Sequence, residues 1–259
     1  MKKLFKKFKT WLEPAPEKPI TVIVPSYNNS QWCKKNLESI FSQNYENYQV
    51  IYIDDCSTDN TAEVAKKIFT DSGKFEKVKL IENKKRVGAT ANRYAGSMMA
   101  EDDSIVLVVD GDDWLAHSQV FKKINLIYST TNTWLTYGQF KRFPSGELGH
   151  CKKLNRNFRQ MDQWYASHLR TYYAWLFKLI KKEDLMYQSD FYQISGDVAE
   201  MLPMLEMAQE QTYFIDSVLY IYNQQTSEND VKRFPLEQVK TFEQIKAKKP
   251  YIPISQKPL

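Results

Sequence analysis

Between residue 20 and about residue 109 the chain alternates short apolar runs with stretches of helical spacing. ITVIVP (20–25) predicts a buried strand closed by Pro25. Residues 29–41 place Trp32, Leu37, Ile40 and Phe41 on one helical face. YQVIYI (48–53) predicts the next strand and DDCSTDNT (54–61) the turn after it. Ser57 or Thr58 is then expected to cap a helix carried by Val64, Ala65, Ile68 and Phe69. KVKLI (77–81) and residues 88–100 repeat the unit. SIVLVVD (104–110) is apolar at successive positions, as a strand is when helices cover both sides of a parallel sheet. Four strand–helix repeats predict an α/β fold: a doubly wound, mostly parallel sheet with helices on both faces.

The pattern is less regular afterwards. A helix is expected around 117–128 and a strand near 133–140, followed by a polar, irregular stretch over 141–165 that reads as a loop across the sheet edge or a lid. AWLFKLI (174–180) and VAEMLPMLEMA (198–208) predict helices, the second kinked or broken at Pro203. YFIDSVLYIYN (213–223) reads as two short strands. An amphipathic helix over 235–247 and a proline-rich tail, expected to be extended and loosely held, complete the chain. The organisation is therefore a segment over 1–18, one α/β domain over 19–225, and a helix with a tail over 226–259.

Composition refines this picture at three points. The 16 Tyr, 14 Phe and 6 Trp favour a packed fold over disorder. The formal net charge of +5 favours an anionic partner without identifying one. Cys33, Cys56 and Cys151 are odd in number, far apart and without zinc spacing, which fits a reducing, cytoplasmic compartment. No run approaches the roughly eighteen apolar residues of a membrane span. The opening MKKLFKKFKTWLEP separates Leu4, Phe5, Phe8, Trp11 and Leu12 from five lysines. That segment, residues 1–14, reads as an interfacial helix on an anionic membrane surface, which would make the protein peripheral, or as a basic terminal helix or frayed tail.

Ligands of an open parallel sheet bind at the carboxyl ends of its strands, and polar residues collect there. Ser26, Tyr27 and Asn28 follow the first strand, Asp54 and Asp55 the second, and Lys84, Lys85 and Arg86 the third. VVDGDDWL (108–115) puts Asp110, Asp112 and Asp113 after the fourth. Three clustered like charges call for a compensating cation. PSYNNS has neither the glycines of a dinucleotide fingerprint nor the Lys-Ser/Thr of a P-loop. A carboxylate-held Mg²⁺ or Mn²⁺ is then the expected means of neutralising phosphates. The implied chemistry is displacement with a pyrophosphate-type leaving group.

VPSYNN, DDCSTDNT, RVGATANR and DGDD, in this order, resemble a family 2 glycosyltransferase of the GT-A fold over residues 21–223. The resemblance implies inverting transfer of a sugar from a nucleotide-diphosphate donor, foremost a UDP-sugar, to a hydroxyl of a glycan, glycolipid or protein-linked acceptor, with Mn²⁺ or Mg²⁺. It places Pro25, Ser26 and Tyr27 along the nucleotide and assigns the Asp54–Asp55 pair to base and ribose, Asp55 being preferred for the base. Arg86 is implied at the base or diphosphate, with Asn92 on the same rim. Asp110-Gly111-Asp112 matches the DxD motif, Asp110 toward ribose and sugar and Asp112 on the metal, with Asp113 either joining it or not. The general base falls at Asp197, where Gly196 replaces the family's glutamate and Glu200 is the alternative. His168 is either structural or on the acceptor side, where Arg170 or Trp175 could face a sugar or its phosphate. Tyr137, Trp164 and Tyr165 are candidates for stacking or for plain core packing.

Two other classes compete. A sugar nucleotidyltransferase would need a glycine-rich basic loop after the first strand, and a non-catalytic sugar-nucleotide-binding protein would have lost the aspartates. No nucleic-acid-binding module is present in the sequence.

Overall fold

The computed structural model describes residues 16–226 and 235–258, so the basic segment 1–14 lies outside the described residues. The strands are β1 (Ile20–Ser26), β2 (Tyr48–Asp54), β3 (Val78–Glu82), β4 (Ile105–Val108), β5 (Trp114–Leu115), β6 (Leu135–Phe143), β7 (Thr171–Tyr173), β8 (Met186–Tyr187), β9 (Asp190–Phe191) and β10 (Thr212–Asn223). The helices are α1 (Ser30–Phe41), α2 (Thr61–Asp71), α3 (Ala89–Met99), α4 (Val120–Thr130), α5 (Ala174–Lys178), α6 (Gly196–Ala208) and α7 (Pro235–Lys246). The main sheet has the order β3-β2-β1-β4-β7-β6-β10-β5, with β7 and β5 antiparallel to their neighbours.

Strand periodicity divides the core in two. Val22, Val24, Ile105 and Leu107 face one layer with Leu37, Ile40, Phe69 and Phe121. Ile23, Val106 and Val108 face the other with Leu176, Met201 and Leu205. All four residues of β4 are therefore buried. Each such side chain contributes roughly 1.5–3 kcal/mol. The expected α/β sheet covered on both faces is present, as a mixed sheet.

Several local expectations are corrected. Asn60, not Ser57 or Thr58, precedes α2, and it is Asp59 that accepts the N–H of Thr61 (3.0 Å) and of Ser30 (3.1 Å), tying down the first residues of α2 and α1. Residues 212–223 form one strand, not two, because irregularities between Ile215 and Tyr220 absorb the extra residues against β6. α6 continues through Pro203, and its burial on nearly every side holds it in place. β7 is additional to the expected elements, because HLRTYYAWLFKLI merges a strand and a helix into one run.

The stretch after β6 is anchored at several points. Cys151, Phe158 and Tyr165 are buried, and the Tyr137 hydroxyl bonds both the Lys152 carbonyl and the Leu154 N–H. The tail is likewise pinned. Arg159 pairs with Glu206 and donates to the carbonyls of Lys246 (2.5 Å) and Lys248 (2.6 Å). The Tyr251 hydroxyl donates to Asp184 and its N–H to Glu206. Among the described residues no helix is long and apolar enough to cross a membrane.

Candidate active site

The carboxyl ends of β1, β2 and β4 form one rim, and backbone contacts join their loops. The N–H of Asp55 donates to Ser26 O (2.8 Å) and that of Gly111 to Pro25 O (3.0 Å). Only glycine allows this approach, because a Cβ at Gly111 would lie 2.5 Å from Ser26 Oγ. Pro25, Ser26, Gly111 and Asp55 therefore meet as the motif order implied.

The two acids after β2 are held differently. Asp55 accepts from Asn83 (2.8 Å), the Val87 N–H (2.9 Å) and the Gly88 N–H (2.8 Å), and so fixes the loop between β3 and α3. Asp54 accepts the Ser57 N–H through Oδ2, while its buried Oδ1 has no partner among the described residues. Asn83 also reaches Asn92 Oδ1 (2.8 Å), and Asn92 Nδ2 is buried without a partner among the described residues. The Arg86 guanidinium lies 3.7 Å over the Tyr27 ring, whereas Lys84 and Lys85 point to solvent. Asp54 and Asn92 thus each keep a buried polar atom free of partners among the described residues, as a polar ligand would require.

The 110–113 turn is clamped from two elements, α1 and β10. Asn36 on α1 donates to the carbonyls of Asp110 (3.0 Å) and Asp113 (2.8 Å). The Asp110 N–H donates to the Tyr220 hydroxyl, which itself donates to Asp113 Oδ2 (2.7 Å). The Asn223 N–H meets Asp113 Oδ1 (2.7 Å), and its amide donates to the Asp112 carbonyl (3.1 Å). Asp113 is thus buried with both oxygens bonded, while Asp110 and Asp112 stand half-open. Burial, and then repulsion from Asp112 and Asp110, push the Asp113 carboxyl well above the ordinary range.

Sequence reasoning missed these clamps. Asn36 gave a signal, being a polar residue on the otherwise apolar face of Cys33, Leu37 and Ile40. It also left His168 undecided. Ligand atoms of Asp110, Asp113 and His168 lie within 4.8 Å of one another, a set able to hold a metal ion. The His168 ring stacks on Tyr220 at 4.5 Å, and its Nδ1 is buried without a partner among the described residues. Burial, helped by Arg170 and Arg93, holds this imidazole well below its usual range and therefore neutral, the form that binds metals. Two carboxylates and a neutral imidazole with an orphaned nitrogen suit a divalent cation such as Mn²⁺.

Across the rim, Asp197 opens α6 and is 28% exposed at its side chain. Arg170, just before β7, approaches Asp197 Oδ2 (3.3 Å) and Asp110 Oδ2 (3.5 Å). Arg93 on α3 binds both oxygens of Glu200 (2.8 and 3.0 Å) and approaches Asp110 Oδ1 (3.9 Å). Glu200, the alternative base, is buried in that pair. Gly196 has a steric cause as well. A Cβ there would stand 1.8 Å from Thr90 Oγ1 and 2.8 Å from Arg93 Nη2, so no glutamate fits. Of the aromatic candidates, Tyr137 is bonded within the core, Trp164 packs on Phe242, Tyr165 donates to Asp162, and Trp175 packs on Trp134 at the opposite end of the sheet.

With this geometry in hand, comparison with known proteins decides the family. The model described as glycosyl transferase family 2 matches residues 21–185. The chain belongs to that family. An uncharacterized glycosyltransferase of Haemophilus influenzae is 31% identical over 121 residues, which are 47% of this chain and 46% of that protein. Glycosyltransferase GlyA of Streptococcus pneumoniae is 35% identical over 40% of this chain and 15% of its own. The chain thus spans less than half the length of these curated relatives.

Solved structures extend the likeness beyond the family match. Residues 1–349 of S. aureus TarS, in complex with UDP-GlcNAc, superpose with a TM-score of 0.66 at 18% identity, covering 88% of this chain and 65% of that one. The mannosyltransferase PcManGT of Pyrobaculum calidifontis, in complex with GDP-Man and Mn²⁺, gives 0.62 at 16% identity over 95% and 72%. At such identities the likeness concerns the fold, and it confirms the expected GT-A architecture of this chain. The family match ends before Asp197, which rests on the geometry alone.

Proposed function

We propose that the chain transfers a sugar, with inversion, from a nucleoside-diphosphate donor to a hydroxyl of a glycan, lipid-linked or protein-linked acceptor. The observation that carries this reading is the pair of half-open acids, Asp110 and Asp197, facing each other across one rim of a family 2 fold. UDP is the nucleotide of first choice, as in the TarS complex, with the base and ribose beside Tyr27, Asp54, Asp55 and Arg86 and the diphosphate toward Asn92 and the 110–113 turn. Asp110, Asp113 and His168, with Asp112 on the open side of the same turn, would hold a divalent cation. That cation supplies positive charge to the leaving diphosphate.

Asp197, at the first turn of α6, accepts the proton of the acceptor hydroxyl. The acceptor oxygen bonds to the anomeric carbon as the bond to the phosphate oxygen breaks, and that electron pair leaves with the diphosphate. Attack opposite the leaving group inverts the anomeric centre. Residues 1–14, by their pattern of lysines and apolar residues, hold the enzyme to anionic membrane surfaces.

Titration calorimetry of UDP with Mn²⁺ tests the donor half. The wild type should bind in a metal-dependent way and Asp112→Ala should lose that dependence while keeping its fold. Undiminished Mn²⁺-dependent binding in the variant would remove Asp112 from the metal. For the membrane contact, deletion of residues 1–14 should leave transfer to a soluble acceptor unchanged and abolish co-sedimentation with anionic vesicles at low salt. Full-length protein that never sediments with them contradicts it.

A further inference from the structure

Asp110 is approached at each oxygen by a different guanidinium, Arg93 at Oδ1 (3.9 Å) and Arg170 at Oδ2 (3.5 Å). Each arginine continues to the first turns of α6, Arg93 to Glu200 and Arg170 to Asp197. The two links differ in kind. Glu200 is closed, 2% exposed at its side chain, and its contacts with Arg93 are short, so that pair docks the helix. Arg170 is itself 3% exposed but ends on two acids that are 25% and 28% open. Its contacts are longer, and its Nε is buried without a partner among the described residues. A buried guanidinium that forgoes a hydrogen bond to stand between two open carboxylates is poorly accounted for by packing alone.

We infer that Arg170 is a positioning residue: it fixes the carboxylate of Asp197 relative to the donor-side Asp110. The inference rests on the reading of Asp197 as the base. The placement follows from the fold. β7 runs antiparallel between β4 and β6, and the Val108 N–H meets the Arg170 carbonyl (3.4 Å), which sets residue 170 at the rim beside the 110–113 turn. In-line attack requires the base and the leaving group on opposite sides of the anomeric carbon, and small displacements of either are costly in rate. A planar fork that meets one acid from each side sets that separation, whereas an ammonium point charge cannot meet both.

The experiment is a double-variant cycle on the full chain, with donor KM, transfer kcat and a thermal melt for wild type, Arg170→Lys, Asp197→Asn and the combination. Arg170→Lys should lower kcat about tenfold to a hundredfold with donor KM within about threefold of wild type. In the Asp197→Asn background it should cost less than about threefold, because a residue that acts through the base has nothing left to position. Losses that multiply in the combination, or unchanged kcat in Arg170→Lys, overturn the inference. Near-normal turnover in Asp197→Asn instead overturns the base assignment itself, whatever Arg170→Lys does. Should Arg170→Lys fail to fold, Asp197→Glu decides: it keeps the carboxylate but carries it out of the 3.3 Å contact, and kcat should fall at least about tenfold. Turnover within about twofold of wild type would show that Arg170 does not set the position.

Discussion

Within residues 25–113 of the rim, Asp55, Asp59 and Asp113 are held by backbone N–H groups and a hydroxyl, while Asp110 and, across from it, Asp197 are met by guanidinium groups. Asp55 is fixed by the N–H groups of Val87 and Gly88, Asp59 by those of Ser30 and Thr61, and Asp113 by Asn223 N–H and the Tyr220 hydroxyl. On the other side, Asp197 and Glu200 depend on Arg170 and Arg93, which arrive from β7 and α3. The N–H groups that hold Asp55 and Asp59 come with the βα turns and helix starts themselves, whereas the donors to Asp113 arrive with β10. The charged side exists only when three distant segments dock, and loss of one partner leaves a buried charge uncompensated.

The contrast can be broken first at Gly196. Gly196→Glu introduces the residue that the motif resemblance implies there, yet its Cβ would meet Thr90 and Arg93. Destabilisation of about 3 kcal/mol or more is expected in urea unfolding, with partial recovery when Thr90 is also changed to Gly. An unchanged midpoint would show that α6 can move away from α3 freely. Next comes Glu206→Ala, which strands Arg159 beneath the tail. Because Arg159 is partly exposed, about 2–3 kcal/mol is expected. A smaller loss would mean that the tail is held by Tyr251 and its neighbours without the ion pair.

On the backbone-held side the expected effects are smaller. Asp59→Ala removes acceptors from two helix starts and should cost about 1–2 kcal/mol, with donor binding unchanged. Smallest in energy is a difference of reactivity among the cysteines. Burial pushes the Cys33 and Cys151 thiols up to about 11, whereas Cys56 is partly exposed in the turn after β2. One thiol should react with a disulfide reagent at pH 8 in the native state, and all three after unfolding. Bound nucleotide should slow the native reaction. Three fast thiols in the native protein would contradict the packing around α1 and β6.

This same contrast explains what the sequence revealed. Residues 25–27, 54–55, 86–92 and 110–113 sit in consecutive strand-end turns, so a linear reading places them on one rim. Arg170 and His168 lie before a three-residue strand whose apolar run continues into a helix, and nothing local marks the boundary. The missing glutamate at Gly196 could be seen in the sequence, but its cause, Thr90 and Arg93 from α3, lies about a hundred residues earlier. The tail reads as loose by composition because its anchors, Arg159, Asp184 and Glu206, are spread along the chain before it.

The central claim is that Asp197 removes the acceptor proton and contributes little to holding the donor. Asp197→Asn keeps the size and hydrogen bonding of the side chain and cannot take that proton. Donor affinity by titration and initial rate at saturating acceptor, measured on one preparation, test it directly. Turnover should fall by roughly 10²–10⁴-fold with donor affinity nearly preserved. Near-normal turnover, or a large loss of donor affinity with turnover retained, would contradict the assignment and move Asp197 to the nucleotide side of the rim.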